Sequence, residues 1–152
     1  MAEFVVLDSG PLGQSSRARG DPAAELAFMR LRRFLDDGIR IIIPEIADYE
    51  VRRELIRAGK TAAVHRLDEL ADQFEFAPIT SEIMRLAAGL WAEARRVGRP
   101  TSHPHALDGD VILAAQAEVL TVPGDHVVVV TTNVGHLNRF VETLDWDVLS
   151  TR

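Results

Sequence analysis

The sequence predicts a single α/β domain with a central, mainly parallel sheet and helices on both faces. Short apolar runs, each long enough for one buried strand, recur along the 152 residues. Longer segments with apolar residues at helical spacing separate these runs. Because parallel strands need crossover connections, strands that alternate with helices indicate a parallel sheet. No internal repeat or interdomain linker interrupts the pattern, so residues 1–152 are predicted to be one domain.

The composition excludes several classes of protein. The chain has no cysteine, which excludes disulfides and thiolate chemistry, and no apolar run approaches the roughly 18 residues of a membrane span. The N-terminus carries no secretion signal, so we expect a cytoplasmic protein with no membrane partner. The net charge of −6 argues against broad attraction to nucleic acid or anionic lipid. It also fits a protein that groups carboxylates around a divalent cation.

The first strand is predicted over residues 3–8, an apolar run that ends at Asp8. A loop rich in glycine and serine follows over residues 10–20. A helix then begins at Asp21, because aspartate is a favoured N-cap and the next residue is proline. Residues 39–43 form the second strand, which ends at a proline.

The next helix is predicted over residues 45–58 and ends at a glycine. On its helical wheel, Glu50 and Glu54 lie beside the apolar face, so these two acids of the helix are not expected to face solvent fully. Three other polar residues are predicted to face solvent: Glu45, Asp48 and Arg52. A third helix over residues 61–73 and a short strand over residues 74–79 follow.

A fourth helix over residues 80–97 and a loop over residues 98–107 lead to an almost wholly apolar helix that ends at Leu120. A helix without a polar face must be buried. Asp108 and Asp110 are expected in its first turn, where the helix dipole favours negative charge. Asp110 is the preferred ligand, and Asp108 is a cap or a supporting residue.

The last third of the chain contains a run of four valines, residues 127–130, which is typical of a central strand. Asn133 and His136 follow this strand closely. A short helix is predicted over residues 136–141, and a weak final strand over residues 146–149.

Three acids follow elements that converge at one edge of such a sheet. Asp8 ends the first strand, Glu50 lies on the helix after the second, and Asp110 begins the buried helix. Ligands of open α/β sheets bind at the carboxyl ends of the strands. Gathered carboxylates repel one another without a cation, and oxygen ligands suit Mg²⁺ or Mn²⁺, whereas Zn²⁺ favours histidine and cysteine.

Four segments together resemble the PIN-domain family, in the order and spacing of VapC-type toxins of prokaryotic toxin–antitoxin pairs. They are residues 6–10 (VLDSG), 44–50 (PEIADYE), 110–117 (DVILAAQA) and 129–137 (VVTTNVGHL). Each motif alone is weak, but four in this order, with the right intervening helices, are fairly specific. The resemblance covers essentially the whole chain.

The resemblance implies a metal-dependent endoribonuclease that hydrolyses RNA phosphodiester bonds with one or two Mg²⁺ or Mn²⁺ ions. Asp8, Glu50 and Asp110 match the family's acids and are the implied catalytic and metal-binding residues. Thr131 matches a hydroxyl that steadies the first acid, and Asn133 takes a position where many relatives carry Asp or Asn. The resemblance also implies a homodimer and a cognate antitoxin.

One position departs from the family pattern. His136 stands where relatives frequently carry Asp, so a second metal would lack one anionic ligand. The imidazole could bind metal, hydrogen-bond a phosphate, or only pack. His103 and His105, in a proline-containing loop, are interpreted as plain loop residues.

Several arginines could supply the phosphate-binding charge that the acidic total lacks. Arg52 and Arg53, close to Glu50, are the predicted substrate-binding residues. The other candidates, which equally fit a solvated face, are Arg17, Arg19, Arg95, Arg96 and Arg99.

Two other functions remain open. The first is a PIN-like RNA-binding or protein-binding module with little or no catalysis, suggested by His136 and the acidic charge. The second is a receiver-like phosphoacceptor domain, which also uses a strand-end aspartate with Mg²⁺. That domain needs a lysine late in the chain, and the only lysine is Lys60.

Overall fold

A computed structural model describes residues 2–97 and 104–149, with only the backbone of residues 104–106. The strands are β1 (Glu3–Leu7), β2 (Arg40–Pro44), β3 (Glu75–Ala77), β4 (His126–Thr131) and β5 (Thr143–Asp145). The helices are α1 (Ser9–Ser15), α2 (Pro22–Asp36), α3 (Glu45–Arg57), α4 (Thr61–Gln73), α5 (Ser81–Arg96), α6 (Pro104–Leu120) and α7 (Val134–Leu137). A 3₁₀ turn, Trp146–Val148, follows β5.

The five strands form one sheet in the order β3-β2-β1-β4-β5, and every neighbouring pair is parallel. The predicted α/β class is therefore confirmed. Strand β1 is central, with Val5 opposite Ile41 of β2 on one side and Val128 of β4 on the other. The residue that follows β1 consequently leaves the sheet at the middle of its carboxyl edge.

Alternating side chains of β1 face two separate cores, as the two-residue period of a strand requires. Val5 and Leu7 pack with residues of α1 to α4, while Phe4 and Val6 pack with residues of α3, α6 and α7. Helix α5 packs on α6 around Val111 in a third cluster. Helices thus cover both faces of the sheet, as predicted.

A buried glutamine fixes the position of α6 relative to α3. Gln116 is fully buried; its Oε1 accepts a hydrogen bond from the backbone N–H of Ile46 (3.2 Å), and its Nε2 donates to the carbonyl of Ala77 (2.8 Å). These two bonds join α6 to the first turn of α3 and to the end of β3. They satisfy backbone groups that would otherwise be buried without a partner.

The predicted loop over residues 10–20 is wrong in its first half, which forms α1. Asp8 caps this helix, and its buried side is made by Pro11, Leu12 and Ser15. Two glycines and a proline, which have low helix propensity in isolation, hide this helix in the sequence. The packing of its buried side against the rest of the protein, rather than helix propensity, stabilises α1.

The beginning of α6 also differs from the prediction. The helix begins at Pro104, so residues 104–107 are helical rather than loop, and neither Asp108 nor Asp110 is in its first turn. The interpretation of Asp108 as the N-cap is therefore wrong. Proline fits the first turn of a helix, because its missing N–H would lack an intrahelical partner there anyway. The rest of the predicted loop, including His103, lies outside the described residues.

Two further predictions are corrected by packing. The final strand lies at Thr143–Asp145, earlier than the predicted residues 146–149, because residues 146–148 form a 3₁₀ turn in which Trp146 is fully buried. Asp48, predicted to face water, is only 8% exposed. Helix α4 covers that side of α3, and α3 is consequently buried on a broader arc than its apolar residues indicate.

Within residues 2–97 and 104–149, no helix is both long enough and apolar enough to cross a membrane.

Candidate active site

Asp8 lies at the middle of the carboxyl edge of the sheet, and both of its carboxylate oxygens accept hydrogen bonds. Oδ1 accepts from the backbone N–H of Ser9 (2.8 Å), which makes Asp8 the N-cap of α1. Oδ2 accepts from the Oγ1 hydroxyl of Thr131 (2.7 Å). The Asp8 backbone N–H also donates to the carbonyl of Val130 (3.0 Å). These bonds hold the carboxylate in one orientation.

Thr131 joins the ends of the two central strands. It is fully buried at the end of β4, and its hydroxyl, which donates to Asp8, also accepts from the backbone N–H of Asn133 (2.9 Å). Its donor and acceptor capacity are thus both used. The contact is the one that the family resemblance implies for this hydroxyl.

Glu50 approaches the same edge from α3 and packs against α6. Helix α3 begins directly after β2, and Glu50 lies in its second turn. A Cβ placed at Gly109 would lie 3.1 Å from Glu50 Oε2, which is tighter than nine in ten Cβ contacts in proteins. The absence of a side chain at Gly109 therefore lets α6 and the Glu50 carboxylate approach one another.

Asp110 is the third acid of the group, and it is carried by α6. Its Oδ2 is buried and has no hydrogen-bond partner among the described residues. Burial, together with the charge of Asp8, raises the Asp110 pKa from 3.8 to about 6, and Arg139 partly opposes this shift. An oxygen that is buried without a donor is costly unless a proton or cation satisfies it.

The Glu50 pKa shows that the three carboxylates interact. Burial raises it from 4.5 to about 7, and the negative charges of Asp8 and Asp110 add to the shift. The charge of Arg53 lowers the Glu50 pKa and partly opposes these effects. Carboxylates from the end of β1, from α3 and from α6 therefore share one partly buried region, in which their charges disfavour one another.

The residues fit a hard divalent cation by their donor chemistry. The donors are all carboxylate oxygens, which Mg²⁺ and Mn²⁺ prefer, and one of them, Asp110 Oδ2, has no other partner among the described residues. As they stand, no three acid, histidine or cysteine side chains of the described part of the chain lie in an arrangement that could hold a metal ion.

The raised Glu50 pKa predicts a pH-dependent stability. Between its ordinary pKa of 4.5 and about 7, the folded protein holds a proton that the unfolded chain has released, so the free energy of unfolding falls as the pH rises through this window. We expect Glu50→Gln to be about 1–2 kcal/mol more stable than the wild type at pH 8, after allowance for partial exposure, and little different at pH 4. Urea denaturation at both pH values measures this.

Glu118→Gln is the matched control for this experiment, because Glu118 is exposed on α6 and lies outside the acid group. It should change stability by less than about 0.5 kcal/mol at either pH. Equal effects of the two substitutions at pH 8 would show that Glu50 is not under electrostatic strain.

Asn133 and His136 lie together beside this region, after β4. Asn133 Nδ2 is 3.0 Å from His136 Nδ1. With the amide as donor, Nδ1 accepts, and the neutral ring carries its proton on Nε2. That N–H is oriented by the Asn133 side chain and leaves His136 able to donate a hydrogen bond.

Asp108 lies two residues before Asp110 on α6, so its side chain points in a different direction from the acid group. Its side chain is exposed and lines an apolar groove between α5 and α6 with Met84 and Trp91. The structure therefore groups Asp110 with Asp8 and Glu50 and leaves Asp108 on another surface.

The two predicted substrate-binding arginines have different surroundings. Arg52 is held by Asp48 (3.0 Å) and Asp68 (2.8 Å), so its charge is already paired. Arg53 stacks over the ring of Tyr49 at 5.0 Å and lies near Glu50. Arg53 is thus the better placed of the two to contact a phosphate beside the acids.

Two residues of the site were missed by the sequence analysis. Gly109, inside a buried helix and between two acids, could have been recognised, because such a glycine often marks a close approach. Arg139, whose charge opposes the Asp110 pKa shift, gave no recognisable pattern.

Comparison with known proteins places this geometry in a known fold. No family model and no curated protein matches the sequence. A chain of VapBC2 from Rickettsia felis, solved bound to a DNA fragment from its promoter, matches with a TM-score of 0.71 and 16% identity, over 95% of this chain and 99% of that one. This chain has the PIN-domain fold.

Two other solved structures support the same conclusion. VapBC-1 from nontypeable Haemophilus influenzae matches with a TM-score of 0.64 and 17% identity, over 95% of this chain and 98% of that one. DNA-bound VapBC from Salmonella typhimurium gives 0.62 and 21%, over 96% and 99%. The PIN-domain fold predicted from four short motifs is therefore confirmed, and it spans nearly the whole length of the chain.

Proposed function

We propose that this chain is a VapC-like endoribonuclease that hydrolyses RNA phosphodiester bonds with Mg²⁺ or Mn²⁺. The observation that carries the proposal is the convergence of Asp8, Glu50 and Asp110, from three separate elements, on one edge of a PIN-domain fold. Two of these acids have raised pKa values, and one has a buried oxygen without a partner among the described residues. Groups perturbed in this way by burial and by like charges are typical of functional sites.

The partners follow from the same proposal. The three structural neighbours are VapBC complexes, and this supports a cognate protein partner, an antitoxin, for this chain. The substrate is RNA. A homodimer is the assembly that the family resemblance implies.

Asp8, Glu50 and Asp110 would hold the metal ion. When bound, such an ion lowers the pKa of a coordinated water and offsets negative charge on the scissile phosphate. Asp8 contributes a carboxylate fixed by Ser9 and Thr131, and Asp110 one fixed by a buried helix. With a pKa raised to about 7, Glu50 is present in both its protonated and its ionised form near neutral pH.

Other residues of the site would act on the substrate. Arg53 would contact a phosphate beside the acids. The Nε2–H of His136 would donate to a phosphate oxygen, which is the role that suits a histidine in place of a family aspartate. Thr131 and Asn133 would position Asp8 and His136 through the hydrogen bonds described above.

A metal titration tests the proposal before any substrate is known. We expect calorimetry to detect Mn²⁺ binding at micromolar to millimolar concentrations, with about tenfold higher affinity at pH 8 than at pH 6, because the cation must displace protons from Glu50 and Asp110. The same samples should cleave single-stranded RNA with Mn²⁺ and lose this activity in a chelator.

The second candidate function is a PIN-like module that binds RNA or protein without cleaving. It is favoured by His136, which replaces an acid of the family pattern. No Mn²⁺ binding up to millimolar concentrations, at either pH, would favour this module over the nuclease.

A further inference from the structure

A groove of about 900 Å³ opens directly beside the acid group, between α1, α3 and α4. Glu50 lines it, together with Ser9, Gly10 and Thr132, which are the neighbours of Asp8 and Thr131 in the chain. Four cationic side chains also line it: Arg17, Arg53, Lys60 and Arg66. We call this the basic groove.

The cations of the basic groove are largely available to a ligand. Arg17 and Lys60 are exposed, and neither forms an ion pair within the part of the chain that the structure describes. Arg66 is half-buried, and its Nε donates to the carbonyl of Ser16 (2.7 Å), which fixes the guanidinium at the groove wall. Together with Arg53, they form a positive strip on a protein whose net charge is −6.

The acids of the basic groove, apart from Glu50, are already engaged. The Glu54 carboxylate pairs with Arg57 (2.8 Å). Asp21 caps α2 by accepting from the backbone N–H of Ala23 (2.8 Å). The groove lining carries four cationic side chains against three carboxylates, one of which is paired with Arg57 outside the lining, so the local charge balance is positive, in contrast to the molecule as a whole.

None of the described residues that line the basic groove is aromatic. Proteins that read unpaired bases stack them on aromatic side chains, whereas contacts from arginine and lysine to phosphates position a strand without reading its sequence.

We propose that the basic groove binds the sugar–phosphate backbone of single-stranded RNA on one side of the cleavage site, without reading its bases. The inference rests on the proposed ribonuclease function and adds where the strand lies and which residues hold it. Arg53, next to Glu50, contacts the phosphate nearest the acids; Arg66, Arg17 and Lys60 contact those further along the groove. Any base preference of the protein then comes from residues outside this groove.

The salt dependence of RNA binding tests the proposal. Fluorescence anisotropy is measured with labelled ten-nucleotide oligouridylate, oligocytidylate and oligoadenylate, in chelator, over a range of NaCl concentrations. For Arg17→Gln/Lys60→Gln, we expect the slope of log K against log salt to be shallower than in the wild type by about 1.4, which is about 0.7 for each phosphate that the protein no longer neutralises. The change should be the same for all three oligonucleotides.

The matched control is Arg32→Gln/Arg85→Gln, which removes the same charge from exposed positions of α2 and α5 outside the groove. Its slope should equal that of the wild type. Equal slopes for both double variants, or a weakening confined to one base, would overturn the proposal. So would a groove-dependent affinity for a polyglutamate peptide without one for RNA, because the groove would then be a protein-docking surface.

The outcome is separable from that of the proposed function. Binding is measured without metal, so a groove-dependent slope supports this inference even if no cleavage is found. Cleavage with unchanged slopes supports the nuclease and rejects the groove.

Discussion

Asp8→Asn is expected to lower metal-dependent RNA cleavage at least about a hundredfold, because a direct ligand should cost more than the 10–100-fold typical of residues that only support one. Asparagine keeps the size of the side chain and caps a helix as well as aspartate does. One oxygen remains to accept from Ser9 or Thr131, so α1 should stay in place. The substitution removes the negative charge at the centre of the sheet edge.

The fold of this variant should be intact, and its stability is expected to match or slightly exceed that of the wild type, since Asp8 raises the pKa values of Glu50 and Asp110 by repulsion. Circular dichroism and thermal unfolding check this. Asp108→Asn makes the same chemical change on another surface and should leave cleavage unchanged. Undiminished cleavage by the properly folded Asp8→Asn protein would reject the nuclease assignment.

Trp146→Ala is expected to lower the free energy of unfolding by about 3–5 kcal/mol. Trp146 is among the largest fully buried side chains, and its Nε1 donates to Gln14 Oε1 (2.8 Å). Arg30 stacks over its ring at 5.0 Å and donates to the carbonyl of Asp147 (3.1 Å). One side chain thus ties the end of the described chain to α1 and α2, and urea denaturation measures its contribution.

Two further variants separate the causes of this destabilisation. Trp146→Phe keeps an aromatic ring but removes the indole N–H, so it should cost less than alanine, with about 1–3 kcal/mol from the unpaired Gln14 acceptor. Val148→Ala changes a residue that is 76% exposed and should cost less than about 0.5 kcal/mol. A decrease below about 1 kcal/mol for Trp146→Ala would mean that the C-terminal turn is not part of the cooperative core.

The sheet and the acid group are predictable because both depend on short, local patterns. Apolar runs mark parallel strands, and an acid directly after such a run must lie at the sheet edge, as Asp8 does. The preference for Asp110 over Asp108 rests on a resemblance, and the structure separates them for a reason that sequence spacing can express: two residues along a helix turn a side chain by about 200°.

The helix boundaries and the environment of Asp48 depend on contacts that the local sequence does not contain. Helix α1 is held by capping and burial despite poor propensity, and α6 begins at a proline that local sequence alone places in a loop. Asp48 is buried because α4 lies over it, and it therefore pairs with Arg52. The Asp48–Arg52 pair follows from the i,i+4 spacing that a helical wheel shows, but the ion pair of Arg52 with Asp68 of α4 does not.

The hydrogen bonds of Gln116 link the geometry of the proposed metal site to the packing of α6 against α3 and β3. Glu50 and Asp110 reach the sheet edge from α3 and α6, which share the core around Phe4 and Val6, and Gln116 joins these two helices through Ile46. The separation between the Glu50 and Asp110 carboxylates therefore depends on how α3 packs against α6, and not on a local turn of the chain. Gln116 is fully buried and has no role in the proposed chemistry. A substitution there should weaken the link between α3 and α6, so we expect the cation affinity of the site to change even in a variant that still folds.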